Sequence, residues 1–313
     1  MSARRLWATW RSLWDGDDDP LPLVLVRVLL PLVFLWDFYE VWRLHLVVPF
    51  WGPGAAGGMG DPEGRSTVTE LYRFFPVTVQ TTHWAFYLLC ASTLCISLGL
   101  FLPVSTIVTV LLYAQFATVL SAADRGIDTM FRNVLCILAF SGASRAWGLD
   151  ALIFGKKARI EAWPRRLLVL QVVVMYFMAG VQKAAVAWWP WGGFSALFVI
   201  LQDLAIARHP FEWLRAYYPL TQLLTAVTMA FEWGAGLVPF VYWARATRAR
   251  GGWLRAQCNR VGFVPWWLLL GVGMHLGIAG TMRLGIFPFA MVAMYPAFFT
   301  GAELRRVAGR SAG

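Results

Sequence analysis

The chain has 313 residues, of which 59% are hydrophobic and only 14% charged, a balance that excludes an ordinary soluble domain. Several apolar runs approach the roughly 20 residues that a membrane helix needs, so the composition describes an integral membrane protein. The net charge of +10 does not indicate nucleic acid, because the arginines fall in short loops between apolar runs, where the positive-inside rule accounts for them.

At the start of the chain, Leu6, Trp7, Trp10, Leu13 and Trp14 repeat at helical spacing among Arg4, Arg5 and Arg11. That pattern predicts a short helix lying in the membrane interface rather than a cleavable signal. The acidic run Asp15, Asp17, Asp18 and Asp19 ends at Pro20 and does not fit the EF-hand register, so a solvated helix stop is expected. Residues 1–19 thus precede a membrane domain over 20–306 and a tail over 307–313, with no soluble domain expected at either end.

Hydropathy predicts eight spans, at about Leu21–His45, Thr82–Leu102, Val104–Ala122, Asp128–Ser144, Leu167–Ala187, Pro219–Trp243, Val264–Met282 and Gly285–Phe299. The Gly- and Pro-rich stretch from Phe50 to Gln80 reads as an external loop with an interfacial segment at Leu71–Pro76, and Asp124-Arg125-Gly126 as a tight polar turn. Phe194–Ile206 is apolar but too short to span, which suggests a re-entrant or interfacial segment. The expected fold is an all-α polytopic membrane protein of about eight transmembrane helices with both termini cytoplasmic. That topology gathers most lysines and arginines on the cytoplasmic side. In a bacterial cell the location would be the plasma (inner) membrane.

The stretch QVVVMYFMAGVQKAAVAWW over Gln171–Trp189, which contains most of the fifth predicted span, holds Lys183 near its outer end. An ammonium inside a span costs roughly 2.5–3.5 kcal/mol on insertion scales, which makes it a functional candidate. Steps of four and three place Tyr176, Gly180 and Lys183 on one helix face. Position alone leaves open whether Lys183 snorkels beside Trp188, forms a structural ion pair or carries chemistry. In the sixth span Thr221, Thr225, Thr228 and Glu232 form one polar stripe, which faces a bundle interior or a cavity because lipid cannot satisfy it. It serves either as helix–helix glue, with Glu232 pairing Lys183 or an arginine, or as part of a site. His275 lies among Gly271, Gly273 and Gly277, where another helix or a ligand can approach closely. It reads equally as a hydrogen-bonded core histidine. The predicted topology puts Asp37, Asp128, Arg132, Lys183, Glu232 and His275 between mid-membrane and the outer face, and Arg27 on the inner side. Four histidines and four cysteines show no ligand spacing, so no metal or haem is expected.

Five stretches together carry a resemblance: LVLVRVLLPLVFLWDF with Arg27 and Asp37, the LD of Asp150, YFMAGVQK followed by Trp188, FEWGAG around Glu232, and MHLGIAGTMRLGIFPF around His275. Over about residues 20–306 the chain resembles HTTM-domain proteins, which share this membrane domain with vitamin K-dependent gamma-glutamyl carboxylases. The resemblance implies a reduced quinone of the vitamin K or menaquinol type as cofactor, with Lys183 as base toward the hydroquinone. A neutral amine suits that role, and burial disfavours the charged form. Tyr176, Glu232, Asp128, Arg27, Asp37 and Thr228 would then line the pocket, with His275 as a second catalytic candidate. Where carboxylases carry a functional histidine at the start of the fourth span, this chain reads Gly126-Ile127-Asp128. Two functions stand side by side: a quinol-dependent oxygenase or carboxylase-like enzyme, and a non-catalytic module binding a lipid or a partner membrane protein. A transporter is less favoured because no inverted repeat is visible.

Overall fold

A computed structural model describes residues 7, 11, 14–60, 76–307 and 309. The interfacial helix expected over Leu6–Trp14 lies largely outside these residues, as do Leu71–Phe75 of the second interfacial segment and most of the tail. The described residues are mostly helical. Its principal helices are α1 (Leu21–Arg43), α2 (Val79–Leu98), α3 (Leu102–Val119), α4 (Gly126–Ala139) and α5 (Trp163–Gln182). They continue with α6 (Tyr218–Gly234), α7 (Val238–Ala246), α8 (Phe263–Thr281), α9 (Phe287–Ala293) and α10 (Gly301–Val307). Strands β1 (Asp17–Asp18) and β2 (Ile160–Glu161) pair antiparallel, with Asp17 opposite Glu161.

Among the described residues, 6 helical stretches are long and apolar enough to cross a membrane, against the eight expected. They are α1, α2, α3, α5, α8 and the continuous run Glu212–Ala246 that contains α6 and α7. The other two expected spans are short. α4 has 14 residues, about 21 Å at 1.5 Å per residue, against a hydrocarbon core about 30 Å thick. The eighth is the stretch Phe287–Phe298, also too short by itself. Leu29, Leu32, Trp36, Ile107, Leu269 and Leu276 are exposed along the long helices, the arrangement expected of surfaces solvated by lipid.

The contacts divide the chain into two compact units, residues 1–168 with 299–313, and residues 169–298. In the first unit α1 packs on α2, α2 on α3 and α3 on α4. Leu23, Val26, Leu30, Phe34 and Phe38 of α1 are buried, spaced by three and four residues so that they form one face. Phe34 stacks on Phe131, with centroids 3.7 Å apart, and Phe38 meets Tyr113 edge-on at 5.4 Å. α2 opens on a reciprocal Thr78–Thr81 cap and closes at Gly99, whose φ of +67° suits glycine.

In the acidic run before α1, Asp15 and Asp17 are exposed as the solvated stop expected from sequence requires, but Asp18 and Asp19 form a tether. Asp17 and Asp18 form β1, Arg165 binds Asp18 at 2.5 Å, and Arg305 on α10 binds Asp19. Asp19 Oδ1 also accepts the amide of Leu21 at 3.0 Å. Excess arginine nearby makes pairing more favourable than leaving four like charges together.

In the second unit α6 packs on α8, and α8 on α9. Phe231 stacks on Trp267 at 4.7 Å, and the Trp267 indole donates to the Phe231 carbonyl at 2.9 Å. The apolar segment after Phe194 forms only the short helix Ala196–Gln202, buried through Leu201 against Leu214 and Met282. Backbone bonds from Arg208 to Thr281 and from Arg283 to Ile206 clip its following loop to the end of α8.

Candidate functional site

Two clusters of buried polar groups stand out, one in each unit. That of the second unit contains Lys183. The sequence places this lysine inside a span running to Ala187, but α5 ends at Gln182 and Lys183 is the first residue beyond it. Its carbonyl, freed by the helix end, accepts the Trp189 indole N–H at 3.0 Å, and 3₁₀ turns follow from Val186. The side chain turns back toward α6, where Nζ donates to Glu232 Oε1 at 2.5 Å and to Oε2 at 2.7 Å. It also lies 4.9 Å from the centre of the Trp188 ring. The lysine side chain is 20% exposed and the glutamate 8%. A carboxylate and an indole face are partners for an ammonium, so the geometry is that of an ion pair, not of an isolated neutral amine. Gly180 makes the approach possible: a Cβ there would stand 3.1 Å from Glu232 Cβ.

On the same helix, Tyr176 is 2% exposed. Its hydroxyl lies 2.6 Å from His275 Nε2 and 2.8 Å from the Tyr295 hydroxyl. Gly271 admits this arrangement, since an added Cβ would lie 2.3 Å from the Tyr295 oxygen. His275 is 1% exposed and its Nδ1 has no hydrogen-bond partner among the described residues. Of the stripe on α6, Thr221, Thr225 and Glu232 are buried, while Thr228 is only partly so. The Thr228 hydroxyl returns to the Leu224 carbonyl of its own helix at 2.9 Å, which explains its hydrogen bonding without a ligand.

The cluster of the first unit is centred on Arg125, a residue that sequence reasoning left as a turn charge. Its Nη2 donates to Asp37 Oδ2 at 2.6 Å and to Asp128 Oδ1 at 2.9 Å, while Nε donates to Asp128 Oδ2 at 3.0 Å. Asp128 Oδ2 also accepts the Arg125 amide at 2.7 Å and so caps the N-terminus of α4. Tyr113 donates to Asp128 Oδ1 at 2.8 Å. Burial opposes charge on Arg125, but the hydrogen bonds to Asp128 and Asp37 outweigh it and raise the guanidinium above its ordinary range. These groups form one wall of a cleft of about 350 Å³ whose other walls include Phe38, Trp51 and Phe116. The spacing of Arg125 three residues before Asp128 was the available signal.

Arg27 belongs to neither cluster's hydrogen bonds. It is buried and donates to the carbonyls of Ile96 and Ser97, both at 2.7 Å, and to that of Trp147 at 2.5 Å. Ten residues of helix separate it from Asp37, about 15 Å along the axis. Asp150 is likewise structural: its two oxygens accept the amides of Phe101 at 2.6 Å and Leu102 at 3.1 Å at the start of α3.

Six long apolar helices with lipid-type surfaces define a multi-pass integral membrane protein. A family model described as the HTTM domain matches residues 17–248, nearly three-quarters of the chain. The chain belongs to the HTTM family. The match contains Asp37, Arg125, Asp128, Lys183 and Glu232, and it ends before His275 and Tyr295, whereas the resemblance seen in the sequence ran to about residue 306. No curated protein and no solved structure matches the chain.

Proposed function

We propose that this protein is a membrane enzyme acting on a reduced quinone, of the vitamin K or menaquinol type, with the Lys183–Glu232 pair as its proton-handling group. The observation that carries the reading is the contact of an ammonium with both oxygens of a largely buried carboxylate. Membership of the family supports the substrate class, through its resemblance to the carboxylase membrane domain.

The donor set suits a dihydroxy ring. Glu232 offers the oxygen that accepts a hydroxyl proton, and the Lys183 ammonium is then free to steady the oxygen anion left behind. The accepting atom thus shifts from the lysine nitrogen to its partner, while Lys183 keeps the electrostatic half of the task. Tyr176 holds His275 by one ring nitrogen and leaves Nδ1 for a further polar contact. A quinol, when bound, would supply the reducing electrons to dioxygen, the co-substrate whose other product is water when the quinone epoxide forms. We also place both termini on the cytoplasmic side, from the distribution of basic residues in the loops.

The test is hydroquinone-dependent epoxide formation by purified protein in detergent, comparing wild type with Lys183→Ala and Glu232→Gln. Product should fall at least about 100-fold in both, the scale expected for loss of an acid–base group, while size-exclusion profiles stay unchanged. No product from folded wild type with either head group overturns the reading. Collapse of the folded protein in Lys183→Ala, with epoxide formation unaltered in Glu232→Gln, would assign the pair to structure and favour a binding module.

A further inference from the structure

The cleft of the first unit carries an uncompensated charge. Among the described residues, the carboxylates of Asp37, Asp124 and Asp128 stand with the guanidiniums of Arg125 and Arg132, which leaves one negative charge over. Asp128 is saturated: its oxygens take bonds from Tyr113 and from the amide, Nε and Nη2 of Arg125. Asp37 and Asp124 are not. Each accepts one bond per oxygen, from Arg125 and Arg132 respectively, and their side chains are 20% and 22% exposed. A carboxylate offers about four acceptor positions, so both keep unused capacity at the cleft surface. The rest of the lining is largely aromatic and apolar, with Trp51 stacked on Phe116 at 4.4 Å. At about 350 Å³ the cleft falls within the usual range of about 300–1,000 Å³ for small-molecule sites.

An anionic head would meet three lining carboxylates and only one lining guanidinium. A neutral head would leave the surplus charge as it stands. Metal binding is not indicated either, because no group of three or more described His, Cys, Asp or Glu residues is arranged to hold an ion. An organic ammonium with an apolar body satisfies both kinds of lining, its head by hydrogen bonds and charge contact to the carboxylates and its body by apolar contact with the aromatic side chains. We propose that this cleft binds the protonated amine of an amphiphile, with Asp37 and Asp124 as its polar contacts and Phe38, Trp51 and Phe116 receiving its apolar body. The site is independent of Lys183 and of any quinone chemistry.

The test is calorimetric titration of the full chain in a neutral maltoside detergent with dodecylamine, with dodecanol and dodecyl sulfate as controls of equal chain length. Dodecylamine should bind saturably and at least tenfold more tightly than either control. Asp37→Asn and Asp124→Asn should each weaken it about tenfold. Because those variants disturb the arginine pairs, Ala117→Phe provides a second arm: it fills the cleft from the apolar side, leaves every charge in place and should abolish binding. Mass spectrometry of protein released from bilayer discs of anionic lipid, with and without phosphatidylethanolamine, identifies the source. A retained aminolipid, lost in Ala117→Phe, assigns the head group of a bilayer lipid, and titration without retention assigns a free amine. Equal binding of dodecanol, or unchanged dodecylamine affinity in Ala117→Phe, overturns the proposal.

Discussion

At the scale of single residues, the ion pairs differ in what their loss should cost. Glu232 is 6% exposed, so removing Lys183 leaves a buried carboxylate without its cation. Lys183→Met should therefore leave the protein folded under native conditions, as its size-exclusion profile requires, but lower its stability by about 3–5 kcal/mol in detergent unfolding experiments, whereas Lys183→Met with Glu232→Met should recover most of that loss. Additive losses would mean that the two residues act independently. Arg125 holds two carboxylates through a planar fork, so Arg125→Lys should cost about 2–3 kcal/mol despite retaining the charge, as read from the same unfolding curves. Lys183 and Glu232 were legible in the sequence because charge in an apolar run is costly and therefore conspicuous. Their contact was not, since hydropathy says nothing of which helix faces which. Arg125 is not legible in the same way, because in Ala122-Ala123-Asp124-Arg125-Gly126 a charged residue looks like any solvated turn. Only the spacing to Asp128 hinted at a cap, and the reach to Asp37, 88 positions away, is a tertiary fact.

Among the elements, the junction of α2 and α3 is the best supported by its polar groups. The Arg27 guanidinium meets the carbonyls of Ile96 and Ser97 in the last turn of α2, the first of which also takes the Gly99 amide, and the Asp150 carboxylate meets amides that α3 leaves unpaired at its start. Arg27→Ala should lower stability by about 2–4 kcal/mol without altering ligand binding at either cluster, since it takes the charged donor from the carbonyls of Ser97 and Trp147. Gly99→Ala should be comparably damaging: its φ is +67° and an added Cβ would lie 2.6 Å from Arg27 Nη1. A thermal unfolding series checks both, and a neutral Arg27→Ala would remove the junction from the stability account. The helix positions themselves follow the sequence closely, because a bilayer demands long apolar runs. Ends are less legible. α5 stops at Gln182, five residues before the predicted limit, because the chain after it turns through Trp188 and Trp189, which engage Lys183. Hydropathy continues across that turn unaltered.

For the whole molecule, family and membrane class were both legible, the first from ordered motifs and the second from composition. The number of full spans was not, since the apolar window around α4 runs on through a turn at residues 140–142 into a separate short helix, Ala143–Ala146. The tether at Asp19 gives a dependence on pH. Burial raises this carboxyl, but the hydrogen bond and charge of Arg305 and the amide of Leu21 outweigh burial and hold it below its ordinary value of 3.8. A depressed folded-state value means that the contribution is complete above about pH 4 and is lost as pH falls through the folded-state value. Between pH 5 and pH 3 the unfolding temperature of wild type should therefore fall more steeply than that of Asp19→Asn. Parallel curves would show that the tether contributes nothing.

The same tether constrains how the protein is made. Asp19 stands two residues ahead of the first membrane helix, yet Arg305 lies 286 positions later, and Gly301 is the residue whose missing side chain gives Asp19 its room. A ribosome must therefore release every intervening helix to the insertion machinery before this latch can shut. Until then α1 sits in the bilayer with Asp19 lacking its arginine partner, and the latch can close only after the helices between the two have been inserted.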